Sequence, residues 1–124
     1  MILCVVDDLM FSVKISSAAT AVAAPVSFER RPGAVLGRIR GERPSLVIFD
    51  LNSSRLAPIE TVAAIKQDPA LRGTRTIGYV SHVQADVIAA ARAAGCDEVL
   101  ARSAFSERLG AILAGAASGE HPEE

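Results

Sequence analysis

The chain has 124 residues, 50% of them hydrophobic, which is the size of one domain with ample apolar side chain for one core. Thirteen Lys and Arg stand against 14 Asp and Glu, so no excess of positive charge exists to draw the molecule onto a phosphate backbone, and direct nucleic-acid binding is not expected. Only 4% of the residues are aromatic and none is Trp, which argues against base-stacking platforms and leaves Ala, Val, Ile and Leu to build the interior.

The first element is an apolar run at residues 2–6 that meets Asp7 and Asp8 too early for a signal-peptide core. It reads as a strand. A helical segment over 10–23 follows and is stopped by Pro25. A second strand at 26–28 leads to a helix over 33–40, closed by Pro44, and a third strand at 46–49 ends on Asp50. The third helix, 59–67, is ended by Asp68-Pro69. A fourth strand lies at 77–80, and a helix over 85–94 is capped by Gly95 as a left-handed residue. The last strand, 99–101, precedes a helix over 103–113 in which Phe105, Leu109, Ile112 and Leu113 share one face and Glu107 and Arg108 the other.

Short, nearly continuous apolar strands alternating with helices predict an α/β fold, a doubly wound five-stranded parallel sheet covered on both faces. Its domain is expected to span residues 1–116. Residues 117–124 have no apolar group to bury and are expected to form a disordered tail. No stretch of about 18 apolar residues occurs, so no membrane association is expected, and a cytoplasmic location follows. Cys4 and Cys96 lie far apart in apolar segments outside any metal-binding spacing, and are expected to be reduced and buried.

In a doubly wound sheet ligands gather at the carboxyl ends of the strands. Every strand except the second delivers a polar side chain there: Asp7 and Asp8, Asp50, Ser81 and Arg102. Crowded carboxylates repel one another, and a hard cation such as Mg²⁺ is the usual neutraliser. With that cation and Arg102 offsetting charge, Asp50 becomes a nucleophile toward a phosphoryl group, and the Ser81 hydroxyl is placed to donate to it.

The segments ILCVVDD, LVIFDLN, TIGYVSH and AAGCDEVLARSAF, in that order, resemble the response-regulator receiver domains over roughly residues 2–113. The resemblance implies the (βα)5 flavodoxin-like receiver fold. It also implies Mg²⁺ held by Asp7, Asp8, the Asp50 carboxylate and the backbone carbonyl of Asn52, phosphorylation on Asp50, and Ser81 as the switch hydroxyl. This chain departs from the family pattern where a Lys-Pro pair is replaced by Arg102 and Ser103, where Val99 stands in the aromatic switch position, and where His82 follows Ser81. The Met-Pro and Asp-Gly turn after the acceptor is replaced by residues 52–58. Arg is not a conservative exchange for Lys at a tight phosphate site, because its donors spread in a plane. Arg102 has an alternative role as a surface arginine pairing with Asp97 or Glu98.

His82 is a candidate gate of the pocket, with plain exposure as its alternative. The arginines at 30, 31, 38, 40 and 43 are expected to solvate the second helix and its flanks. No dinucleotide or P-loop motif occurs. The expectation is therefore a single-domain two-component response regulator, not an enzyme, signalling through protein contacts. Its partners would be a sensor histidine kinase or phosphotransfer protein and a downstream protein, with a homodimer left open. The alternative is a pseudo-receiver interaction module that is not phosphorylated.

Overall fold

In the computed structural model, which describes residues 1–82 and 84–117, five strands alternate with five helices. These are β1 (Ile2–Val5), α1 (Leu9–Ala21), β2 (Val26–Phe28), α2 (Val35–Glu42), β3 (Leu46–Asp50), α3 (Pro58–Gln67), β4 (Arg75–Val80), α4 (Ala85–Ala93), β5 (Glu98–Ala101) and α5 (Arg102–Ala117). All strand pairings are parallel and the order across the sheet is β2-β1-β3-β4-β5, the doubly wound arrangement expected. The chain runs outward from β1 to β2, then back past it to β3. A crevice therefore opens between the carboxyl ends of β1 and β3.

Strand alternation sends side chains to two cores. Ile2, Cys4, Ile48 and Tyr79 pack with Phe11 and Ile15 of α1 and Phe105, Leu109 and Leu113 of α5. Leu3, Val5, Val47 and Phe49 pack with Ile39 of α2, Val62 and Ile65 of α3 and Ala91 of α4. Two covered faces explain why the strands carry no polar alternation. The apolar stripe expected on the last helix faces the sheet, with Phe105 fully buried and Ile112 packed at its margin.

Element ends differ from the sequence expectation for local reasons. Helix α1 starts at Leu9, not 10, because Asp8 is its N-cap and accepts from the amides of Met10 (2.9 Å) and Phe11 (3.1 Å). It stops at Ala21 because Ala23 turns left-handed (φ 56°). Helix α2 begins at Val35, not 33, since Gly33 holds φ +83°. Helix α5 runs on to Ala117 with Ala116 still against the core. Ala117 thus belongs to a helix, while the rest of the expected tail, 118–124, lies outside the described residues.

Gly95 takes the left-handed conformation expected (φ +100°). Gly78 serves a different purpose, since a Cβ there would lie 2.6 Å from Leu51 Cδ1. The missing side chain lets Leu51 pack over β4 directly after Asp50. Register between β4 and β5 is tied by Asp97, whose Oδ2 accepts from the Thr76 amide (2.8 Å), the Thr76 hydroxyl (3.1 Å) and Lys66 Nζ (2.7 Å). Glu98 pairs with Arg75 and Arg108. Both cysteines are free and buried as expected, and burial pushes the Cys4 thiol up to about 12. Among the described residues no helix is long and apolar enough to cross a membrane.

The second strand also delivers a carboxylate, which the sequence reading did not use. Glu29 follows β2 and is 3% exposed, gripped by the Arg31 side chain (3.1 and 3.2 Å) and amide (3.0 Å), with Arg38 at 3.6 Å. Arg38 also bonds Ser27, the Phe28 carbonyl and Glu42, so this arginine buttresses the edge of the sheet instead of solvating α2.

Two outcomes test this packing. Leu109→Ala, a truncation at a 3% exposed core position, should destabilise by about 2–5 kcal/mol in chemical denaturation. The Arg31 hydrogen bonds hold the Glu29 carboxyl down to about 2. Its contribution is therefore present above the unfolded value near 4.5 and is lost as pH falls toward 2. Glu29→Gln should lower the melting midpoint at neutral pH, and the gap to wild type should close under acid.

Candidate functional site

The crevice at the β1/β3 switch point is an open cleft of about 470 Å³ lined by Asp7, Asp8, Asp50, Asn52, Ser53, Ser81, His82 and Arg102. The seven candidate site residues Asp7, Asp8, Asp50, Asn52, Ser81, His82 and Arg102 all line it, while Val99 and Ser103 do not. Asp50 ends the central strand, between β1 and β4, and is half-buried, with Oδ1 accepting from the Asn52 amide at 3.0 Å. Burial pushes its carboxyl above the ordinary value. The Asn52 hydrogen bond and the Arg102 charge pull the other way, and Asp8 and Asp7 add to the rise.

The two carboxylates after β1 point to different partners. Asp8 spends Oδ1 on the amides that open α1, and its Oδ2 lies 3.4 Å from Arg102 Nη2. Arg102 is further held with its guanidinium carbon 4.3 Å from the centre of the Phe11 ring, a cation–π contact. It therefore turns toward the cleft and not to Asp97 or Glu98. Asp7 meets Arg55 through both oxygens, with Nε at 3.0 Å and Nη2 at 2.8 Å, and this pairing holds its carboxyl below the usual range.

Arg55 lies in a single 3₁₀ turn, Ser54–Leu56, within the loop that replaces the family's turn. Sequence reading missed it. The available signal was a cation five positions after Asp50, in a loop leaving the same sheet edge as the carboxylates. That it returns to Asp7 depends on the path of the turn, which no local pattern fixes.

Asn52 also has a role that the sequence did not suggest. Its backbone carbonyl accepts from the Ser54 amide (3.1 Å), while its side-chain Oδ1 accepts from the amides of Ser81 (2.6 Å) and His82 (3.2 Å). Its Nδ2 donates to Gln84. One asparagine thus clips the loop after β4 to the loop after β3. Ser81 and His82 are exposed at the rim. Val99 is partly buried and packs on the opposite face with the α2–α3–α4 core.

The aromatic beneath the cleft is Tyr79 of β4, stacked on Phe105 (centroids 5.1 Å apart, planes at 11°) and close to Phe11 (4.9 Å). Its hydroxyl is buried with no hydrogen-bond partner among the described residues, and burial followed by the Asp50 charge pushes its ionisation up. A phenolate there is excluded at physiological pH, so Tyr79 is a neutral floor under the acidic group.

As donors, three carboxylates suit a hard divalent ion. Among the described residues no group of three or more His, Cys, Asp or Glu side chains comes together to hold a metal, so an ion here would rest on fewer carboxylates together with water. Asp7 is paired with Arg55, and Asp8 with Arg102 and the α1 amides, so a divalent ion would have to compete with these partners.

No protein-family model and no curated protein matches the sequence. Solved structures do. A response regulator from Hahella chejuensis superposes with a TM-score of 0.84 at 20% identity, covering 97% of this chain and 96% of its own. The phosphorylated cyanobacterial phytochrome response regulator RcpA aligns at 0.71 and 23% identity, over 92% of this chain and 88% of its own. The Mn²⁺-bound form of response regulator Rcp1 aligns at 0.68 and 19%, over 94% and 91%. The chain therefore has the flavodoxin-like fold of response-regulator receiver domains.

The raised Asp50 carboxyl has a measurable consequence. Below the unfolded value of about 3.9 both states are protonated and the group is neutral in effect. As pH rises through the folded value, the native state has to give up a proton it holds more tightly, so ionised Asp50 opposes folding at neutral pH. Asp50→Asn keeps an oxygen for the Asn52 amide and should raise the melting midpoint at pH 7, with the gain vanishing below about pH 4.

Proposed function

We propose that the chain is a phosphoryl-accepting response regulator of two-component signalling, a switch and not an enzyme, which takes its phosphoryl group onto Asp50 and signals by protein contact. The donor would be a sensor histidine kinase or a phosphotransfer protein. The observation that carries the reading is Asp50 at the switch point of a receiver-type sheet, facing the same open cleft as Arg102 and Ser81.

The chemistry uses this chain's own groups. An Asp50 oxygen attacks phosphorus, the new P–O bond forms as the bond to the donor's leaving group breaks, and the electron pair departs with that group. Burial leaves Asp50 less solvated than a surface carboxylate. Arg102, positioned by Asp8 and Phe11, supplies positive charge for the phosphoryl oxygens. The Ser81 hydroxyl at the rim is a donor to the same group. Mg²⁺ is the divalent ion favoured on donor chemistry, in competition with the arginines that now hold Asp7 and Asp8.

A second reading, a pseudo-receiver that binds partners without phosphorylation, is favoured by one observation: Asp7 and Asp8 are already neutralised within the chain. Incubation with a small phosphodonor, with and without Mg²⁺, followed by intact-mass measurement separates the two. Wild type should gain one phosphoryl group and Asp50→Asn none. Arg102→Lys should raise the yield and Arg102→Ala reduce it. If wild type and Arg102→Lys both stay unlabelled, the chain is an interaction module and the acceptor assignment is wrong.

A further inference from the structure

We propose that Arg55 is a built-in counter-cation that occupies Asp7 in place of a divalent metal ion, and so sets how readily the cleft takes such an ion up. The inference rests on reading this cleft as the acceptor site, but it concerns a side chain that the phosphoryl step does not use.

The geometry is that of a two-point clamp. Arg55 Nε and Nη2 meet the two oxygens of Asp7 at 3.0 and 2.8 Å, so one planar guanidinium covers the face that a cation would take. The same Nη2 donates to the Arg30 carbonyl at 2.8 Å, so the arginine is held on its far side as well. Its turn is anchored by Leu56, 3% exposed, and by the Leu56 and Ala57 amides donating to the carbonyls of Ser53 and Ser54. The clamp is therefore presented by ordered backbone.

A divalent ion approaching Asp7 must displace these hydrogen bonds or sit beside a fixed positive charge, and either lowers its affinity. The pair is also open to water, with side chains 52% and 36% exposed, so it is a modest competitor and not a lock. Asp8 cannot compensate, because its oxygens serve the start of α1 and Arg102.

The test is Mn²⁺ titration of the full chain, following the electron paramagnetic resonance signal of the free ion. Arg55→Ala and Arg55→Gln should each bind Mn²⁺ about two- to fivefold more tightly than wild type, the scale on which an exposed ion pair competes. Adding Asp7→Asn to Arg55→Ala should cancel the gain. Unchanged or weaker Mn²⁺ binding by both single variants, or a gain that survives Asp7→Asn, overturns the proposal. Metal binding is read without phosphorylation. Absence of Asp50 labelling together with the expected tightening would therefore sink the acceptor reading alone.

Discussion

Carboxylates gathered at one edge of a parallel sheet repel one another, and the way that repulsion is relieved organises everything around the cleft. Here the relief comes from inside the chain. Arg55 covers Asp7, Arg102 reaches Asp8, and among the described residues Asp50 has one hydrogen bond to its carboxylate, the Asn52 amide on Oδ1. The result is a graded site in which the carboxyl with a close guanidinium is held down and the one left among desolvating neighbours is pushed up. Two acidic groups of one residue type are thereby set to different tasks by their surroundings.

The apolar layer below makes this grading possible. Phe11, Tyr79 and Phe105 form one tilted and stacked group directly under the acidic end of the sheet, and the same Phe11 ring carries Arg102 on its face. The arrangement couples the core to the site: the rings that fill the space between α1, β4 and α5 also fix where the cation stands. Above them, the Asn52 clip joins the loops after β3 and β4, so the acceptor strand and the rim residues Ser81 and His82 share one support.

The edge strand shows the same economy of charge. Glu29, at the end of β2, is buried because Arg31 and Arg38 surround it, and Arg38 reaches across to the strand itself. Next to it, the Arg30 carbonyl receives Arg55. The loop after β2 thus helps hold the cation that neutralises the loop after β1, although it lends no side chain to the cleft lining.

The order of elements, the two-faced sheet and the acidic positions at its carboxyl edge were legible in the sequence, because each follows from local or strictly periodic constraints. Continuous apolar strands require cover on both faces, Asp68-Pro69 and the left-handed Gly95 end the third and fourth helices, and alternation of strand and helix leaves one edge for Asp7, Asp8, Asp50, Ser81 and Arg102. What each of these side chains touches was not legible. Arg102 turns to Asp8 over Phe11, Arg55 returns from a 3₁₀ turn to a residue far back in the chain, and Asn52 uses its side chain to bind a loop beyond the next helix. Those choices rest on distances of a few ångströms between segments remote in sequence, set by strand register and by the path of one irregular loop. Only the folded chain brings the competing partners within reach, and there the nearest charge decides.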